Sequence, residues 1–192
     1  MTADGAPTGR TTKGGRRRDQ LARAAADLVR EEGPAALSHR AVAQRARVPL
    51  SATTYYFSGL DDLAAAAGAG MVDAWVTHAE QVLARVRGGS EGDPAAVLVQ
   101  AVLPPGDEVA VRAHYEQLLA AGRVPALAAA LAAGRSRLDG VLTALLAEVA
   151  PSLTVAAPLV LAVVDGAVVT AVSEGRAIRP TAQDLVGTLL AP

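Results

Sequence analysis

Residues 38–63, SHRAVAQRARVPLSATTYYFSGLDDL, gather the side chains of this 192-residue chain best suited to meet a polyanion. Ser38, His39, Arg40 and Arg47 can donate hydrogen bonds to phosphate oxygens, and an arginine fork also fits the O6/N7 edge of guanine. Three of the chain's five aromatic residues then follow in a row, Tyr55, Tyr56 and Phe57. A tyrosine joins an apolar ring to a hydroxyl that can stay wet, so Tyr55 suits packing as well as backbone contact. Upstream, Arg16, Arg17 and Arg18 end a Gly- and Thr-rich stretch. Two readings fit that run: an arm on phosphates or in a minor groove, and the solvated start of a helix.

Other chemistries find little support. There is no Cys, which excludes disulfide frameworks and thiolate metal sites. The three His, at positions 39, 78 and 114, are too scattered to suggest a metal site, and no nucleophile–base pairing is legible. No cofactor and no enzymatic activity are expected. Charge points the same way as the motif. Residues 1–59 hold ten Lys/Arg against five Asp/Glu, and residues 60–192 hold eight against fourteen, within a net charge of −1. A basic N-terminal module followed by an acidic remainder implies that one end alone meets phosphates.

The elements that must position these residues all read as helices. Residues 1–15 lack periodicity and are expected to be a disordered basic arm. Leu21, Ala25, Leu28 and Val29 repeat on one helical face over residues 17–32, and Gly33–Pro34 stops that helix. Ser38 suits an N-cap, and Leu37 with Val42 can form a hydrophobic staple. This helix ends near Ala46, Arg47 and Val48 make a turn, and residues 49–56 form a second short helix. Two short helices about a tight turn are the layout of a helix-turn-helix, whose second helix lies in the DNA major groove.

Ser58 is expected to cap the next helix, with Asp61 completing the box. That helix carries Leu63, Ala67, Met71, Trp75, His78 and Val82 on one face and runs to about residue 85. The Gly-rich residues 87–93 are not a phosphate loop, because no Gly-Lys-Ser/Thr follows. Asp93 and Asp107 open two helices, Pro125 a long aliphatic one ending before Pro151, residues 152–174 another, and Thr181 caps the last. Residues 155–172 are apolar enough to mimic a membrane span. Pro158, Asp165 and Gly166 interrupt them, and a helix buried in a water-soluble core is the better account. A cytoplasmic protein without a membrane partner is expected.

On these residues the N-terminal third resembles the TetR family of bacterial transcriptional regulators. The features are the basic start, the first helix ending at Gly33, Ser38 with Val42 and Ala43, Val48 in the turn, Phe57 closing the second short helix, and Asp62 with Leu63 beyond. The chain departs from that pattern with Arg47 for the turn glycine, Pro49 for Ser/Thr, Thr54 for a phosphate-contacting Tyr, and Leu60 for Lys. The resemblance implies an all-α fold of about nine helices. Residues 16–62 would form a three-helix DNA-binding head, and residues 63–192 a ligand-binding and dimerisation domain. It also implies a homodimer on a palindromic double-stranded DNA operator, most simply a repressor released by a small molecule.

By position, Arg40, Ser38 and His39 would contact bases or phosphates, and Leu50, Ser51 and Ala52 base edges. Thr54, Tyr55 and Tyr56 would contact the backbone, and Arg47 or the arm with Arg17 and Arg18 would replace the missing phosphate contacts. The departures also admit a second reading, a dimeric small-molecule sensor with a degenerate DNA head. Trp75, His78, His114, Tyr115 and Arg137 are the polar or aromatic interruptions that suit a pocket, although a lone His such as His78 also suits a satisfied core position. Ala162, Gly166 and Thr170 are small residues one turn apart that suit either a close dimer interface or packing within one subunit. Asp165 beside them suits a cross-interface pair or a ligand.

Overall fold

An apolar stripe recurring every three to four residues forces α1 (Lys13–Glu32) to lie on a core, and Leu21, Ala25, Leu28 and Val29 are all buried. The computed structural model describes residues 13–90 and 92–191. α1 begins at Lys13, so residues 13–15 of the expected disordered arm are helical, while the rest of that arm lies outside the described residues. Gly33 ends the helix at φ 90°, a conformation that favours glycine. The head continues with α2 (His39–Arg45) and α3 (Leu50–Tyr56). The Ser38 hydroxyl accepts a hydrogen bond from the Ala41 N–H at 3.1 Å, and Leu37 and Val42 are buried in one cluster, as the cap and staple predicted.

The start of α4 (Leu60–Arg87) differs from expectation. Gly59, not Ser58, is the N-cap, and it makes no side-chain cap bond. Ser58 stands one residue outside the helix. Asp62, not Asp61, reaches back to it, accepting from the Ser58 N–H at 3.0 Å and facing the hydroxyl at 3.4 Å. Asp93 and Asp107 cap α5 (Pro94–Val102) and α6 (Glu108–Ala121) as expected, accepting from the N–H groups of Ala96 and Ala110. α7 (Pro125–Val149) follows.

α8 spans Ala157–Glu174, five residues shorter at its start than the sequence suggested. Pro158 does not interrupt this helix. It occupies the first turn, where its missing N–H has no partner to lose. α9 (Ile178–Leu190) starts three residues before the expected cap, and Thr181 instead donates to the Ala177 carbonyl at 2.7 Å. The free N–H groups of Ile178 and Arg179 are capped from α6, by the Glu108 carboxylate at 2.7 and 3.2 Å. A cap some seventy residues away leaves no local signature.

Among the described residues there are nine α-helices and no strand. Two apolar clusters divide α4 between them. Its first half, with Leu63, Ala67 and Met71, joins Phe57 and α1, and its second half, with Val76, Val82 and Leu83, joins α5, α7 and α8. The head core also takes in Ala121 and Leu127 from the α6–α7 corner. α8 is long and apolar enough to cross a membrane by composition. Its inner stripe of Val160, Val164, Ala167 and Ala171 is buried in the second cluster.

α4 and α7 pack in direct backbone approach at Gly134, where an added Cβ would lie 2.5 Å from the Val72 side chain. Gly134→Ala is expected to overpack this contact and lower stability by about 1–3 kcal/mol. A urea titration checks this, through a lower midpoint at unchanged slope.

Candidate functional site

Three contacts fix the helix-turn-helix on its scaffold. Gln20 on α1 donates to the Ala46 carbonyl at 3.0 Å, satisfying the end of α2. Arg45 on α2 bridges Glu31 and Glu32 at 2.8 Å each. Thr53 and Phe57 anchor α3 from beneath, both fully or almost fully buried. What remains outward on α3 is Leu50, Ser51, Thr54 and Tyr55, with Tyr55 80% exposed. Ala52 and Tyr56 are half-buried, and the Tyr55 and Tyr56 rings meet edge to face at 4.9 Å.

The basic residues divide into free and engaged groups. Arg40 and Arg47 are exposed, and among the described residues neither guanidinium has a partner. Arg18 instead braces the head, at 3.3 Å from Asp62 and with its guanidinium 4.8 Å from the centre of the Phe57 ring. Arg17 donates to Gln20 at 2.8 Å. Ser38 keeps its hydroxyl proton for a further partner while capping α2. The half-buried His39 has its Nδ1 buried with no hydrogen-bond partner among the described residues.

Arg47 takes φ 55°, the one positive φ at a non-glycine position among the described residues. A side chain in this region costs about 1–2 kcal/mol. Arg47→Gly is therefore expected to raise the melting temperature, which thermal melts check.

The second feature is a cavity of about 390 Å³ between α4, α6, α7 and α8. Trp75, His114 and Tyr115 line it, as the sequence suggested. The Trp75 and His114 rings meet edge to face at 5.6 Å, as do His114 and Tyr115. Burial, aided by repulsion from Arg30, pushes the His114 pKa down to about 4, so the imidazole is neutral near pH 7. The Tyr115 hydroxyl donates to Asp165 Oδ1 at 2.9 Å. Burial raises the Tyr115 pKa, and the Asp165 charge adds to it. Burial also raises the Asp165 pKa, against the opposing pulls of the Tyr115 bond and Arg135.

The structure distinguishes the alternatives left open for Asp165 and His78, and places Arg137 away from the cavity. Asp165 lines this cavity from α8, in keeping with the ligand reading of that residue, while Ala162 and Gly166 are exposed and Thr170 is half-buried. His78 lies outside the cavity, its Nε2 bonded to the Gln100 carbonyl at 2.8 Å. Arg137 is on the surface, paired with Asp73 at 2.6 Å. The cavity arginine is Arg135, which also reaches Asp139 at 3.3 Å. Its position was readable, since 135 shares a helical stripe with Leu131, Leu138 and Leu142 whereas 137 does not.

Residues 89–192 match the family described as Tetracyclin repressor-like, C-terminal domain. Comparison with curated proteins gives no match. Among solved structures, the chain is similar to the multidrug binding protein EbrR complexed with ethidium, at 32% identity and TM-score 0.59, over 92% of this chain and 99% of that one. The EbrR complex with malachite green shares 34% identity at TM-score 0.57, over 92% and 98%. A member of the TetR family from Streptomyces coelicolor A3, SCO1917, shares 34% identity at TM-score 0.55, also over 92% and 98%. The helix-turn-helix head, the all-helical body and these matches together establish that the chain belongs to the TetR family of transcriptional regulators.

Proposed function

We propose that this protein is a homodimeric repressor that holds a palindromic operator and releases it when an aromatic cation enters the cavity. The observation that carries the DNA half is the outward face of the head. Leu50, Ser51, Thr54 and Tyr55 stand exposed on α3, flanked by the unpaired guanidinium groups of Arg40 and Arg47. Arg40 is positioned to reach a base or phosphate, and Arg47 supplies a phosphate contact in place of those lost at Thr54 and Leu60. Arg17, Ser38, His39 and Tyr56 complete the contact surface. Arg18 acts indirectly, through Asp62 and Phe57.

Dimerisation is assigned to α8 and α9, whose outer faces expose Leu159, Val169 and Leu185 beside Ala162 and Gly166. A stripe of this kind is covered well by its own copy, and small residues let the two helices approach closely. The dimer sets the two α3 helices about 34–36 Å apart, one turn of DNA. Repression from a chromosomal operator places the protein in the cytoplasm.

The ligand half rests on Asp165. A carboxylate raised in pKa by burial, within an aromatic wall, suits a delocalised cation that both stacks and neutralises it. EbrR has been crystallised with ethidium and with malachite green, both aromatic cations. A footprint on DNA upstream of the protein's own gene tests the reading. Two protected half-sites one helical turn apart are expected, and a salt-weakened complex. A soluble dimer with no protected site would favour the sensor with a degenerate head.

A further inference from the structure

A second concavity lies beside the cavity, between the head and the body. It is a groove of about 960 Å³ formed by α1, α4, the end of α5 and α6. Its floor is made of small or apolar side chains, including Ala26, Ala74, Pro104 and Ala113. Gly70 closes the floor, where an added Cβ would lie 3.1 Å from that of Ala26. Trp75, Val102 and His114 line the groove and the cavity alike, so they form the boundary between the two.

The charges around the groove are not equivalent. Asp27 and Glu31 face Arg30 at 2.7 and 3.8 Å, and Asp73 is held by Arg137 at 2.6 Å. The remaining charged residue of the lining, Arg23, is exposed and has no hydrogen-bond or ion-pair partner among the described residues. His78 is already bonded to Gln100. The groove thus offers an apolar floor, an indole and one uncommitted guanidinium. That set complements an aromatic body carrying a carboxylate or sulfonate, which Arg can hold through two parallel hydrogen bonds.

We propose that this groove is a second ligand site, for an amphipathic aromatic acid held by Arg23 and seated against Trp75. It differs in charge from the cavity, whose lining sets the Asp165 carboxylate beside Arg135. Its occupant touches α1 of the head and α6 of the body at once, bridging the two halves. The site does not depend on operator binding or on dimerisation.

Anilinonaphthalene sulfonate is a suitable probe, because Trp75 is the chain's single tryptophan and can transfer excitation to it. With the folded full-length protein, saturable binding with energy transfer from Trp75 is expected. Arg23→Glu should weaken the probe by about tenfold, the loss of one charge-assisted contact, without changing malachite green affinity. Ala113→Phe, a filling of the exposed floor, should weaken it comparably. Probe affinity unchanged in either variant, absence of transfer from Trp75, or stoichiometric displacement by malachite green would overturn the assignment.

Discussion

Arg40→Ala is expected to abolish specific operator binding while leaving the fold intact. An arginine bidentate to guanine contributes about 1–3 kcal/mol of discrimination, and a homodimer loses it at both half-sites. Operator affinity should therefore fall about a hundredfold or more. The fold should survive because Arg40 is exposed and partners no other group among the described residues. Quantitative mobility shifts beside circular dichroism and thermal melts check both halves. Unchanged affinity in a folded variant would show that the α2 contact is misassigned. The opposite pattern is expected of Arg45, whose ion pairs to Glu31 and Glu32 serve the head's architecture.

Asp165→Asn is expected to separate ligand response from folding. The substitution keeps the shape and an acceptor for the Tyr115 hydroxyl, which donates to Oδ1 at 2.9 Å, but removes the charge. Malachite green affinity should fall about tenfold or more, the scale of a hydrogen-bonded charge lost from a partly buried site. Stability should move the other way. The native pKa of Asp165 lies above its unfolded value because burial disfavours the anion. In the window between those two values the folded state binds more protons, so stability falls as pH rises through it. The asparagine variant lacks this dependence and should be the more stable form above the window. A bound cation favours the ionised carboxylate, so binding within the window should release a proton, measurable by calorimetry in two buffers. Dye affinity unchanged in Asp165→Asn would remove the charge from the recognition.

The head was the most legible part of the chain because its signals are local. Ser38 caps the helix that starts beside it, Leu37 and Val42 staple it, and the contact face of α3 follows from a period of 3.6 over seven residues. Arg47 stands where the family pattern has a turn glycine, and it takes φ 55°, the conformation glycine adopts freely. Less legible were features set across the fold. Glu108 caps α9 from α6, and Gln20 satisfies the end of α2 from α1. Neither partner lies near its target in sequence. The run Arg16–Arg18 was open between a DNA-contacting arm and a helix start; it lies within α1, where Arg18 faces Asp62 and Phe57.

The cavity was half readable. Trp75, His114 and Tyr115 stood out as polar or aromatic interruptions of apolar faces, and they converge. Asp165 and Gly166 are adjacent, yet a helix turns 100° per residue and sends them to different surfaces. The strip of small residues and the inward carboxylate therefore belong to different surfaces, in keeping with the ligand reading of Asp165. The same one-residue arithmetic separates Arg135, which lines the cavity, from Arg137, which does not. His78 follows the alternative stated for a lone histidine, a polar side chain on an apolar face satisfied by a backbone carbonyl at 2.8 Å.

Release by ligand requires one coupling: a cation beside Asp165 must disfavour the operator-bound state. A ligand shifts such an equilibrium only by binding one state better than the other. The most direct test follows the fluorescence anisotropy of a labelled operator duplex held by the protein while malachite green is added. The wild-type complex should dissociate over the range in which the dye binds free protein, and the Asp165→Asn complex should require about tenfold more dye. Dye that saturates the protein while the operator complex persists unchanged would contradict the account.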